Sequence, residues 1–370
     1  MIHGCISNVL CAGCSGDSAL FIMHISSIHT PLSSAVGWGK ESNICLHRNN
    51  LLFLNSLHSP ITFLKQKKQE NNIAKQARVA VHPISAVRSG IMSKQDAEDT
   101  NSHGSMERDL LVVGPGVLGR LVAEKWLQES PSCHVFGLTR TTNHHEELHS
   151  LGIKTIIRGS ELRKRFPFVI FCAPPSGNED YSSEIRAAIM QWSGEGSFLF
   201  TSSSAVYDCY DNGLCGEECP TVPMGRSART DTLLMAEAEA LKGGGNVIRL
   251  AGLYKLDRGA HMYYLKKGSV DAHPEHIINL IHYEDAASLC KIILEKRYQG
   301  RVFMGCDNCP LSREKMMEYV TKSGKFKENF QGFTGLTGPL GKQMDNSKTR
   351  NKIGWVPKYR NFSEFLGVTS

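Results

Sequence analysis

The stretch that most restricts this chain is a short apolar run meeting a glycine turn. Asp109-Leu110-Leu111-Val112-Val113 reads as a buried strand and leads directly into Gly114-Pro115-Gly116-Val117-Leu118-Gly119. After the turn, Leu118, Leu121, Val122 and Trp126 recur at helical spacing, which predicts an amphipathic helix. Each glycine has a physical job in such a strand–turn–helix unit. The first permits the tight bend, the second lets backbone N–H groups approach a pyrophosphate, and the third lets the helix pack on the strand. The helix N-terminus then favours the phosphate charge. A glycine pattern alone is common in ordinary turns; the flanking strand and helix make this one a dinucleotide-binding turn. Gly114, Gly116, Val117, Leu118 and Gly119 are the residues expected at the pyrophosphate.

Strand and helix signals continue to alternate. His134–Leu138, Ile153–Ile157, Phe168–Ala173, Ser197–Thr201 and Val247–Leu250 read as further strands. Helices are expected near Tyr181–Trp192 and Arg229–Leu241. Near-continuous apolar strands separated by helices imply a parallel sheet covered on both faces, the doubly wound α/β class. Right-handed crossovers bring the strand C-termini, and the loops that follow them, to one edge. Past Gly252 the pattern loosens into a short strand at Ile277–Ile281 and a helix led by Asp285, which is expected to cap it. Another strand follows at Val302–Met304, and Ser312 reads as the N-cap of a helix over Arg313–Lys322. The expected organisation is a leader over 1–106, a nucleotide-binding Rossmann domain over 107–255, and a mixed region over 256–370. That last region holds the final sheet strands and a small substrate lobe.

Charge separates the leader from the rest. The 370 residues carry a net charge of +6, but residues before Ser93 hold three acids against eight Lys and Arg. The remainder is nearly balanced, so no basic face points to nucleic acid. An acid-poor segment with scattered Arg, Lys and Ser is the mark of an organelle transit peptide, and a chloroplast is expected ahead of a mitochondrion or the cytoplasm. Met92 and Met106 offer later starts under the competing reading of a disordered tail. The apolar patches Ala19–Ile25 and Leu51–Leu57 fall short of the ~20 residues of a membrane helix, so no membrane span is expected. The twelve cysteines lack paired metal-ligand spacing and read as reduced thiols; Cys209, Cys215 and Cys219 share one loop, where a redox pair is the minor alternative. A monomer or homodimer with a small-molecule substrate is expected.

Thr139-Arg140 ends the second strand, where an NAD site usually offers an acid to the ribose hydroxyls. An arginine there can stack on adenine and pair with the 2′-phosphate of NADP, so NADP is expected over NAD.

The glycine turn is followed by Ala173-Pro174-Pro175, Ser202-Ser203-Ser204-Ala205-Val206-Tyr207, Arg249-Leu250-Ala251-Gly252-Leu253-Tyr254 and Ile281-His282-Tyr283-Glu284-Asp285. In this order, across about Asp109 to Val368, the set resembles the extended short-chain dehydrogenases/reductases, the superfamily of nucleotide-sugar epimerases and dehydratases. It is most similar to an atypical plant and bacterial branch of NAD(P)-binding Rossmann proteins. The resemblance implies that Ala173, Pro174 and Ser202 line the cofactor edge. It also implies a Ser, Tyr and Lys site in which serine polarises the substrate oxygen and tyrosine, activated by lysine, moves the proton. Ser203 matches the serine. The Tyr-x-x-x-Lys pair does not match: anchoring on Glu237 places Arg229 at the tyrosine and Leu233 at the lysine. No tyrosine lies between Tyr210 and Tyr254 to rescue it. Tyr207 is the substitute acid best placed by position, and Arg229 is suited to a ribose or substrate anion. Tyr254 and His282 read as structural. Lys255, Arg258 and His261 form either an anion site or a solvated loop. Two functions stand: an NADP-dependent oxidoreductase or isomerase with an altered site, and an NADP(H)-binding or redox-sensing protein without turnover.

Overall fold

Seven strands form the centre: β1 (Leu110–Val113), β2 (Val135–Thr139), β3 (Ile153–Ile157), β4 (Phe166–Phe171), β5 (Trp192–Ser203), β6 (Asn246–Leu250) and β7 (Val302–Gly305). The structure, a computed structural model, describes residues 107–369 apart from 161, 163, 178 and 179, so the leader and its start sites lie outside the described residues. The spatial order is β7-β6-β5-β4-β1-β2-β3 with every pairing parallel. The chain runs outward from β1 to β3, then returns to the other side of β1 for β4. Such a reversal opens a crevice at the carboxyl ends of β1 and β4, where α/β sheets bind ligands. The doubly wound sheet read from the sequence is the one observed.

Side chains of a strand alternate between faces, and β1 is buried on both. Leu110 and Val112 join Leu118, Val122 and Trp126 of helix α1 (Val117–Glu129) on one face. Leu111 and Val113 join the opposite layer. After α2 (His145–Ser150), that layer is built by α3 (Tyr181–Met190) and α4 (Ala228–Lys242), through Tyr181, Ile185, Leu233 and Ala236. A short α5 (Ala260–Lys267) precedes α6 (Tyr283–Glu295), which covers the α1 face with Leu289, Cys290 and Ile293. The remaining helices are α7 (Arg313–Ser323), α8 (Ser347–Ile353) and α9 (Phe362–Leu366). Tyr254, Leu265, Ile278, Met316, Val320 and Phe362 join in a third cluster.

Several details differ from the expectation, and the strand expected over Ile277–Ile281 is two short strands, Ile277–Ile278 and Leu280–His282. The helix expected to reach Trp192 stops at Met190, and Trp192 opens β5. Its buried indole donates to Pro167 O at 3.0 Å, which anchors it to β4. Asp285 does not cap α6. His282 does, its Nδ1 accepting from the Glu284 N–H at 3.2 Å. Burial pulls this imidazole down to about 4, leaving it neutral and able to accept. Asp285 instead accepts the N–H groups of Lys358 and Tyr359 at 2.6 and 3.0 Å, fastening the C-terminal segment to the first turn of α6. Ser312 does cap α7, accepting from Lys315 N at 3.1 Å.

Candidate cofactor site

The three glycines of the turn meet three different surroundings. Gly114 has φ +75°, and a Cβ there would lie 2.6 Å from the Ala173 Cα, so the turn after β1 and the loop after β4 cross with no room for a side chain. A Cβ on Gly119 would lie 2.8 Å from Val112 Cγ1, which is how closely α1 packs on β1. A Cβ on Gly116 would meet nothing within 4 Å. Its glycine is required by neither packing nor a positive φ, and the space above it suits a pyrophosphate. The N-terminus of α1 fits the same group: no side chain caps it and its first turn holds no acid, so its N–H groups suit an anion. Val117 is half-buried at the mouth of this turn, whereas the Leu118 side chain belongs to the core and only its backbone faces the turn.

The loop after β4 is held in place. Tyr181 Oη donates to Ala173 O at 2.7 Å, and Thr201 Oγ1 donates to Phe171 O at 3.0 Å. Beside this loop is a cavity of about 420 Å³ lined by Gly114, Thr139, Arg140, Arg158, Ala173, Pro174 and Glu184, among others. Its dimensions and apolar walls suit a nucleoside. Arg140 reaches Ser176 O and Gly177 O at 3.4 Å, and the Glu184 carboxylate at 3.7 Å. Arg158 pairs with the same carboxylate at 2.5 Å. The sequence did not single out Arg158; the register does, because Thr139 lies beside Ile157 and the residues that follow emerge side by side.

Thr139 is also held from behind. Its hydroxyl lies 2.8 Å from His145 Nε2, and His145 Nδ1 lies 3.1 Å from Thr155 Oγ1.

At the end of β5 the expected groups separate. Ser203 is half-buried, its Oγ accepting from Ala205 N at 3.2 Å, which leaves the hydroxyl proton available. Ser202 points the other way, donating to Glu237 at 2.5 Å; buried, it supports a charge pair rather than lining the cofactor edge. Glu237 is bonded by Arg249 at 2.7 Å, and the guanidinium lies 4.7 Å from the centroid of the Tyr207 ring. Tyr207 is not at the open edge where a substitute acid would stand. The ring is 2% exposed, its hydroxyl is aimed at Glu217 O, and burial pushes the phenol up, so it is poorly placed to exchange protons with a bound molecule. Arg229 is exposed on the first turn of α4, and Leu233 is packed in the core. Neither a phenol nor an ammonium occupies the positions that the resemblance reserves for them.

Lys342 was not singled out by the sequence and nothing in its glycine-rich surroundings marks it. Its ammonium donates to Ser204 O at 2.9 Å and Tyr207 O at 2.8 Å, bracing the turn that follows Ser203. The Lys255, Arg258 and His261 group is not an open anion site. Lys255 pairs with Asp257, Arg258 donates to the Tyr283 hydroxyl at 3.0 Å, and His261 is fully buried. Tyr254 is buried with its ring 5.2 Å from that of His282, a structural pair as expected.

No family model matches the sequence. Protein YeeZ of Escherichia coli K12 is 27% identical over 163 residues, 44% of this chain and 58% of YeeZ, so the match spans little more than half of that relative. Among solved structures, a conserved protein of unknown function from Silicibacter pomeroyi has a TM-score of 0.58 at 20% identity, covering 70% of this chain and 96% of that one. The dTDP-glucose 4,6-dehydratase of Bacillus anthracis, in complex with NAD, gives 0.57 at 15% identity, covering 70% and 95%. The UDP-glucuronic acid 4-epimerase of Bacillus cereus, also with NAD, gives 0.55 at 17% identity, covering 70% and 94%. The fold is theirs. At these identities the likeness concerns architecture alone.

Proposed function

We propose that the chain binds NADP(H) along the carboxyl edge of its sheet, with the pyrophosphate over Gly114–Gly119 and the adenosine in the Arg140–Arg158 cavity. The observation that carries the cofactor choice is the pair of arginines sharing the one carboxylate of Glu184. Among the described residues, two guanidinium groups against one carboxylate leave a net positive charge, which favours a 2′-phosphate over a bare ribose hydroxyl. The similar dehydratase and epimerase hold NAD, so the choice between the two cofactors is the point to measure. Titrating NADPH and NADH into the protein should give tighter binding of NADPH. Arg140→Ala and Arg158→Ala should each weaken NADPH by roughly tenfold or more, a charge-assisted hydrogen bond being worth about 1.5–3 kcal/mol, and leave NADH nearly unchanged. Equal NADPH affinity in wild type and both variants removes the pair from the site.

On that cofactor, the proposed activity is oxidoreduction or isomerisation of a small or sugar-like molecule, with Ser203 donating to the substrate oxygen. Loss of such a donor lowers rates by about a hundredfold or more, so any turnover found in a screen of aldehydes, ketones and nucleotide sugars should fall that far in Ser203→Ala. A second reading, binding without turnover, is favoured by the burial of Leu233 and the exposure of Arg229. NADPH that raises the melting temperature while no substrate in the screen reacts would decide for it.

A further inference from the structure

Three cysteines converge just past the Ser203 turn. Cys209, Cys215 and Cys219 have their Sγ atoms all within 4.8 Å of one another. Cys215 is buried at the end of a short strand, Gly213–Cys215, that pairs in parallel with Lys342–Met344, and the other two are half-buried. Backbone bonds fix the approach of each: Asp208 N to Pro220 O at 2.8 Å, Cys219 N to Gly216 O at 3.1 Å, and Asp345 N to Cys215 O at 3.0 Å.

We propose that these three sulfurs form a binding site for a thiophilic divalent ion, with zinc as the ion to test. A zinc–sulfur bond of about 2.3 Å sets tetrahedral sulfur neighbours roughly 3.8 Å apart, so the observed triangle needs only a small contraction. A disulfide would join two of the sulfurs and leave the third without a purpose; one metal ion uses all three. The charges also close. Three thiolates around a divalent ion carry one net negative charge, and the neighbouring ammonium of Lys342 supplies the opposite one. Binding would release the thiol protons to solvent, as metal sites of this kind require. Among the described residues no fourth His, Cys, Asp or Glu joins the group, which leaves the fourth position to water or an external ligand. The site stands apart from the cofactor reading. Its effect would be to fasten the 209–219 loop beside Lys342, and so to stiffen the turn carrying Ser203.

The test uses the full chain, purified and reduced, loaded with zinc and then desalted for metal analysis, with cobalt as an optical substitute. One ion per chain is expected, with a thiolate-to-cobalt charge-transfer band. Cys209→Ala and Cys219→Ala should each lose the ion and the band while keeping the far-ultraviolet circular dichroism of the metal-free wild type. Cys309→Ser, and the pair Cys11→Ser with Cys14→Ser, should retain both. Absence of bound metal in the reduced wild type overturns the proposal, and so does metal that persists in Cys209→Ala and Cys219→Ala. A disulfide among the three in protein purified without reductant, together with no metal after reduction, would replace the metal site by a redox pair.

Discussion

Asp307 sits just past the end of β7 with one carboxylate oxygen bonded and the other not. Oδ1 accepts from Cys309 N at 2.9 Å, while Oδ2 is buried without a hydrogen-bond partner among the described residues. Burial is the main cause that pushes this carboxyl up to about 7; the Cys309 N–H and the Arg350 charge oppose it, and Asp285 adds to it. An aspartate in the unfolded chain releases its proton near pH 4, whereas the folded site holds it to about 7. Folding is therefore favoured by this group at low pH, loses that support as pH rises from about 4 to 7, and stays lower above it. The loss is on the order of a few kcal/mol, because one pKa unit corresponds to about 1.4 kcal/mol. Asp307→Asn keeps the Cys309 bond and removes the charge. Its melting temperature should exceed that of the wild type by a margin that widens between pH 4 and 7. Parallel pH profiles for the two proteins would place the carboxyl's titration elsewhere.

The β1–turn–α1 element shows how far three similar residues can differ in what they do. Gly119→Ala forces a methyl against Val112 and should cost stability by about 1–3 kcal/mol, the usual range for overpacking, with cofactor binding lost only through misfolding. Gly116→Ala meets open space, so its melting temperature should match the wild type while NADPH affinity falls sharply. Thermal unfolding and cofactor titration on the two variants separate these effects; a Gly116→Ala protein that still binds NADPH normally would mean the turn cradles no phosphate. This element was legible in the sequence because its requirements are local: an apolar run, three glycines and a helical period. Arg140 was legible for the same reason, since it directly follows a strand. Arg158 needed the register between β2 and β3, and Lys342 needed a contact across 135 residues to Tyr207 O. Tyr207 was misjudged because its position on the strand edge is a local fact, whereas the packing of Arg249 over its ring is not. Ser202 and Ser203 look alike in sequence, and only the alternation of the strand sends one to Glu237 and leaves the other at the edge.

At the scale of the whole molecule, the three hydrophobic clusters draw on residues from Leu110 to Leu366. The segment before them has a different composition, with three acids against eight Lys and Arg before Ser93. We propose that residues 1–106 are a plastid-targeting leader; their poverty in acids supports it, because import sequences are basic, Ser-rich and acid-poor. Two measurements bear on this, and they can fail separately. A fusion of residues 1–106 to a fluorescent protein should accumulate in plastids; fluorescence in the cytosol would overturn targeting, and fluorescence in mitochondria would reassign it. A chain beginning at residue 107 should melt within about 2 °C of the full chain, since 1 kcal/mol shifts a unit of this size by roughly 2–4 °C, and should keep the same NADPH-induced shift. A much larger drop would mean that the leader packs on the folded part, and a segment needed for folding could not be cut away on import without unfolding the protein it delivers.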